Sequence, residues 1–498
     1  MADGHDQTDG ATVPAKHPSF LAVFPSIMLP MFLAVVDQTI VATALPAIAA
    51  ATGEVERASW IVVGYLIATT VAAPIYGRLG DSFGRKRIMF VALTLFMVAS
   101  VLCAASPTIL TLTLARVLQG LGGGGLMTLS QALVGETIPP RERARYQGYL
   151  AAVAVCANTF GPVAGGYLTE HFGWQSIFLV NLPIGIGAMV LATRLPPPRG
   201  ERLAWKSDAG GLAYFALFVA TILLALEQVQ HVDAAQLPTG AALFVVGLIA
   251  LALLIRHENR ADSPLIPLKL LRMPAIWRSD AMAVCHGAAL VSLITFMPIF
   301  LEVVRGASPS ETGLLLVPLT IGIGTGSLLT GRLVSRTGRL TIFPVGGLIL
   351  ATGTLLALAI WAPNMSNVTI SIVLMLNGLF MGPVMGVVQV IVQNAAGGQR
   401  LGEAAASVQF SRSMGAAFGT ALVGTVLFAY LALSNPEAAR VFAAMVQHLG
   451  GGTKAISPAE LQAVHGDIVA AFRAAFFLIG VFTTTGCILA WTNPQRRI

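Results

Sequence analysis

An all-α, polytopic membrane protein is the fold this sequence predicts, on three observations. Of its 498 residues, 55% are hydrophobic and only 11% are charged, with a mean hydropathy of +0.78. A soluble domain carries roughly 25% charged residues, so this chain has too little polar surface to face water. The apolar residues also fall into fourteen runs, most of them near the ~20 residues that a helix needs to cross the hydrocarbon core. Finally, the basic residues sit in short clusters between the runs. The net charge of +7 therefore does not build the basic face that a nucleic-acid partner would need.

Taken in order, a polar, acidic-leaning tail at 1–19 leads straight into the first run. It has no cleavage site closing a short apolar core, so it reads as a cytoplasmic tail and not as a signal peptide. Spans are expected at 20–50, 59–77, 88–106, 109–135, 146–169 and 174–193, which form an N-terminal six-helix bundle over 20–193. A linker at 194–275 holds two extra transmembrane helices, at 208–228 and 237–255. A C-terminal six-helix bundle over 276–498 has spans at 276–303, 311–331, 340–361, 367–393, 404–431 and 468–491. Its outer loop at 432–467 mixes helical stretches with Gly450, Gly451 and Gly452. With the N-terminus inside, the clusters around Arg85, Arg143, Arg202, Arg260, Arg336 and Arg496 all fall on the inner side. This requires an even number of spans and places both termini in the cytoplasm. Cys103, Cys156, Cys285 and Cys487 lie inside apolar runs without metal-ligand spacing, so neither a disulfide framework nor a metal or cofactor is expected.

The chain repeats itself. GRLGDSFGR at 77–85 matches GRLVSRTGR at 331–339, and the same shift maps Gly148 onto Gly402, Gly161 onto Gly415 and Gly165 onto Gly419. Both copies of the GRL element fall on the cytoplasmic side, so the two six-span halves are parallel repeats, with span two matching span ten and span five matching span thirteen.

Two charges inside the first half stand out. Asp37 lies near the middle of span one, where a carboxylate costs several kcal/mol unless it pairs, meets water or takes up a proton. Desolvation favours the neutral acid, which suits a proton carrier; the alternative is a structural residue bonded to Thr39 or Thr43. Arg116 lies about 12 Å into span four and needs a partner, with Asp37 and Gln119 as the candidates. Protonating Asp37 would weaken such a pair and so link proton occupancy to helix arrangement; a purely structural ion pair is the other reading. In the loop after span two, Gly77 and Gly84 allow two helix ends to turn and approach. Asp81 can face the positive N-terminal end of a helix in the other half, and the repeat points to span thirteen, starting near Leu401. The second copy has Ser335 where Asp81 stands.

These segments resemble a known family. GRLGDSFGRKRIM at 77–89 is similar to the signature loop of the major facilitator superfamily. VVDQTIVATALP at 35–46 resembles the first-span signature of its fourteen-span drug:proton antiporters, and WQSIFLVNLPIG at 174–185 also fits that group. RVLQG at 116–120 is similar to the fourth-span motif of proton-coupled members, and GPVAGG at 161–166 to the fifth-span motif of antiporters. The resemblance implies the major-facilitator fold, two six-helix bundles plus two extra transmembrane helices, working by alternating access. It also implies a proton-transfer role for Arg116, an Arg85–Glu136 contact in a cytoplasmic gate, and export through Gly161, Pro162, Gly165 and Gly166. Span ten lacks the interior acid that some fourteen-span exporters of dications carry.

Further candidate polar groups for the cavity are Gln119, His286, Glu302, Asn377, Gln389, Gln393 and Arg412; each is open to a structural role as well. The chain has no G-x-x-x-x-G-K-[ST] loop to bind ATP and no hydrolase constellation, which argues for a secondary active transporter and against an enzyme. The expected function is a proton-coupled antiporter in a plasma (bacterial inner) membrane that exports small amphipathic or hydrophobic compounds. The alternatives are a dedicated exporter of one endogenous metabolite or antibiotic and an uptake symporter. The expected partners are a small-molecule substrate, protons and membrane lipid, with no nucleic acid. A monomer is expected, and a periplasmic adaptor is left open.

Overall fold

Backbone groups cannot find water in hydrocarbon, so a chain of this hydropathy must satisfy them inside helices. The computed structural model does so throughout. It describes residues 20–53, 57–195, 208–230, 237–261, 264–266, 268–449 and 458–498; the tail at 1–19 and the glycine run 450–452 lie outside them. The first half runs α1 (Phe20–Thr52), α2 (Ser59–Phe83), α3 (Arg85–Ala104), α4 (Ile109–Thr137), α5 (Pro140–Phe172), α6 (Ser176–Leu179) and α7 (Asn181–Ala192). Then come α8 (Ala209–Gln230), α9 (Leu237–Glu258) and a single turn, α10 (Leu268–Leu271). The second half is α11 (Pro274–Val303), α12 (Pro309–Thr337), α13 (Ile342–Trp361), α14 (Asn367–Met381), α15 (Pro383–Ala396), α16 (Leu401–Ser434), α17 (Pro436–Leu449) and α18 (Pro458–Thr492).

Among the described residues, thirteen helical stretches are long and apolar enough to cross a membrane, one fewer than the sequence predicted. The difference is the run at 174–193, which forms only the shorter apolar stretch Ser176–Ala192, interrupted at Val180. Pro183 has no N–H to offer the carbonyl of Leu179, so the helix cannot run on unbroken through this point. Pro383 acts in the same way at Gly382, between α14 and α15, but there the two pieces together still make one long crossing. The long helices also overrun the predicted spans. In the segment predicted as an outer loop, α16 extends to Ser434 and α17 lies over the helix ends, with Phe442 buried against Phe428 and Phe472.

The repeated GRL element has a common backbone purpose. α2 ends at Gly84, with φ of 95°, and α12 ends at Gly338, with φ of 67°. Both values lie where glycine carries no Cβ penalty, which fixes the last glycine of each copy.

Two large apolar cores divide the chain. One is built from side chains between Phe24 and Leu195, the other from side chains between Leu270 and Ala490. α8 and α9 pair with each other and rest on both halves, with Phe215, Val219 and Ile222 in one cluster with Val71 of α2 and Met414 of α16. The halves meet tightly at the end that carries the GRL elements. There a Cβ on Gly331 would lie 2.5 Å from the Ala144 carbonyl, and one on Gly148 2.7 Å from that of Ser327.

Candidate functional site: a buried charge cluster and a helix-end latch

α1 carries Asp37 into the middle of the first bundle, where the side chain has no exposed surface. Arg116 of α4 reaches it through Nη1 at 2.6 Å from Oδ2, and is itself 1% exposed. The same nitrogen donates to Gln119 Oε1 at 2.7 Å, one helical turn on. The guanidinium carbon stands 3.9 Å from the centroid of the Tyr65 ring, a cation–π placement that offsets part of its desolvation. The other carboxylate oxygen, Oδ1, accepts from Gln119 Nε2 and Asn181 Nδ2, both at 2.8 Å. Gln119 also donates to Ser100 Oγ at 2.8 Å and accepts from the Cys103 thiol at 3.3 Å. One carboxylate thus ties together α1, α3, α4 and α7. Breaking such a pair by removing one partner typically costs about 3–5 kcal/mol, because a charge is left uncompensated.

Thr39 and Thr43, the alternative partners for Asp37, bond their own helix backbone at Val36 and Ile40. Three further members of the cluster, Asn181, Ser100 and Tyr65, escaped the sequence reading. Neutral polar side chains are common in spanning helices and give no charge signal; only the quoted 174–185 run contained one of them.

The second constellation sits at the tight end. Asp81 Oδ1 accepts from the Gly402 amide at 2.9 Å, and Oδ2 from the Glu403 amide at 3.0 Å. These are orphan N–H groups of the first turn of α16, where the helix dipole favours an anion. Arg85 donates to Asp81 and, at 2.8 Å, to Glu136 at the end of α4. Gly77 permits the approach, because a Cβ there would lie 2.5 Å from the Gly402 carbonyl. Across the same interface Gln393 donates to the Gln131 carbonyl at 2.9 Å, and Arg143 to Asn394 at 2.8 Å.

On α5, Gly161 and Gly165 let α1 approach: their Cβ positions fall on the hydroxyls of Thr39 and Thr43. Gly166 has open space beside it and takes no part in this approach. Pro162 lies inside an unbroken α5. Two of the expected cavity groups are elsewhere. Gln119 is enclosed in the charge cluster, and Asn377 donates to Thr354 of α13 at 2.8 Å, inside the second bundle. His286 and Gln389 are buried, and His286 Nδ1 and Gln389 Nε2 have no hydrogen bond among the described residues. Glu302 and Arg412 are half-buried.

Thirteen long apolar helical stretches among the described residues, with a repeated loop and a charge cluster buried in the first bundle, mark a polytopic membrane protein. The Major Facilitator Superfamily model matches residues 27–420, and the chain belongs to that superfamily. It is 34% identical to an uncharacterised MFS-type transporter of Mycobacterium tuberculosis, over 82% of this chain and 60% of that one, so the match spans less than two thirds of that relative. It is 30% identical to the multidrug transporter protein MdtP of Bacillus subtilis, over 80% of this chain and 74% of that one. In fold it is similar to the human organic anion transporter MFSD10, with a TM-score of 0.66 and 13% identity, covering 94% and 99% of the two chains.

Proposed function

We propose that the chain is a proton-coupled antiporter that exports small amphipathic or hydrophobic compounds across a bacterial inner membrane, with both termini cytoplasmic. The observation that carries this reading is the enclosed Asp37–Arg116 pair, the place where binding one proton changes most. With Asp37 ionised, Arg116, Gln119 and Asn181 all donate to it and hold α1 against α4 and α7. With Asp37 neutral, the attraction to Arg116 falls and those helices are free to shift. The pair lies wholly inside the first half, so its state must be carried to the interface between halves. The glycine run of α4 offers the route: a Cβ on Gly120 would lie 2.6 Å from the Tyr65 carbonyl, and one on Gly125 2.7 Å from the Tyr76 ring. Movement of α4 therefore moves α2, and α2 bears Asp81. The latch at α16 holds the cytoplasmic end shut in the outward-facing state and releases when the halves rock.

MdtP, a multidrug transporter by name, supports breadth of substrate. The test is dye movement in inside-out membrane vesicles with an imposed pH gradient. An antiporter accumulates dye when the lumen is acid and loses it when a protonophore collapses the gradient. Accumulation under the opposite gradient would mark a symporter, and transport of one compound alone a dedicated exporter.

A further inference from the structure

The strongest feature not used so far is a side cavity of about 340 Å³ between the two extra helices, Pro74 of α2 and the second half. It is walled by α9, α11, α16 and the stretch around Leu265, with Phe215, Phe218 and Phe410 among its apolar surfaces. Ligand pockets commonly start at roughly 300 Å³ and combine apolar walls with a few polar groups. Here every acidic group in the wall is a carboxyl: Glu258, Asp280 and Glu403. Glu258 is 4% and Asp280 7% exposed. Each of the three has one buried oxygen without a hydrogen bond among the described residues. The other Asp280 oxygen meets the Ser407 hydroxyl at 3.4 Å, and the other Glu258 oxygen the Ile266 amide at 3.3 Å. Arg400 Nε stands 3.9 Å from that Glu403 oxygen, and Arg78, which donates to the Pro264 carbonyl, also lies close enough to Glu258 and Glu403 to offset part of their charge, which leaves Asp280 the acid without a nearby cation among the described residues. Leaving a buried carboxyl oxygen unmet is costly, so three around one apolar space mark a place for a positive charge.

We propose that this cavity is a second binding site, apart from the space between the halves, for lipophilic organic monocations. The apolar walls take the hydrophobic groups, and the acids, Asp280 first, take the charge. Ile255 and Trp277 of the wall are each more than 40% exposed, so the cavity is not closed off by the bundle on that side. Glu403 also links the site to the latch, because its amide is one of those held by Asp81. The proposal concerns binding without any gradient, so it stands or falls separately from proton-coupled export.

The test uses the full chain in lipid nanodiscs. A photoreactive azido derivative of triphenylphosphonium is cross-linked to the unaltered protein and the labelled peptides are mapped. Label on α9, the start of α11 or the start of α16 is expected; label confined to other helices overturns the proposal. Equilibrium binding of tetraphenylphosphonium is then compared between the unaltered chain and Asp280→Asn, with a loss of ~10-fold or more expected. Unchanged affinity in an Asp280→Asn variant of normal melting temperature overturns it. So does equally tight binding of neutral triphenylphosphine oxide, which would make the cavity a purely apolar one. If Asp280→Asn does not fold, the labelling of the unaltered chain decides.

Discussion

A guanidinium and a carboxylate enclosed together hold each other by the cost of leaving either one alone. Arg116→Leu leaves the Asp37 carboxyl without its counter-charge, and we expect a loss of about 3–5 kcal/mol, read from unfolding in detergent. The double variant Asp37→Asn/Arg116→Leu removes both charges and should regain much of that stability while transport stays absent. A double variant no more stable than Arg116→Leu would show that the pair is not the element in balance. Asp37 and Arg116 were legible in the sequence because an ionisable residue inside an apolar run has to be explained. Asn181, Ser100 and Tyr65 were not, since their hydrogen bonds to the cluster depend on how four helices converge. Gln119 was read both as a candidate partner for Arg116, from which it accepts at 2.7 Å, and as a candidate cavity group, and its enclosure beside Ser100 depends on helix packing that the spacing does not show.

Helix ends and helix contacts decide how the cluster could act at a distance. Asp81→Asn keeps an oxygen at the α16 N-terminus but removes its charge, weakening the contact by about 1–2 kcal/mol. Hydrogen exchange over residues 398–406 should quicken, and an unchanged rate would remove the latch. On α5 two neighbouring glycines should behave oppositely. Gly165→Ala drives a methyl into Thr43 and the Ile40 carbonyl, and should cost both stability and transport. Gly166→Ala meets open space and should leave both nearly intact, a contrast measurable by melting and dye efflux. At the start of α8, burial works against the Asp208 charge, but the Gly211 amide, the His257 ring and the Leu265 amide together hold its carboxyl below the ordinary value of 3.8. A depressed value means that its contribution is complete above the unfolded value and is lost as pH falls through the folded one. Exchange at the first turn of α8 should therefore rise below about pH 4, and Asp208→Asn should flatten that dependence. The element pattern was largely readable from hydropathy. It was least complete at 174–193, where the apolar stretch Ser176–Ala192 is shorter than the other crossings and is interrupted at Val180, ahead of Pro183.

The described residues form two apolar cores that meet tightly at one end, with the charge cluster in the first and the Asp81 contact with the α16 N-terminus between them. The duplication was visible in GRL and in the glycines. Its physical reason appeared only in the backbone, in the positive φ shared by Gly84 and Gly338. The asymmetry matters more for mechanism: Asp81 has Ser335 as its counterpart, so a single half carries the acid that holds the α16 terminus. The side cavity left no trace in the sequence, because its acids come from three helix ends far apart in the chain. The central claim, that proton occupancy of Asp37 drives exchange, is tested most directly in proteoliposomes that report substrate and luminal pH together. With an imposed gradient, the unaltered chain should move protons and substrate in opposite directions. Asp37→Asn should carry no proton flux and should fail to concentrate substrate. Full gradient-driven accumulation by Asp37→Asn would contradict the account.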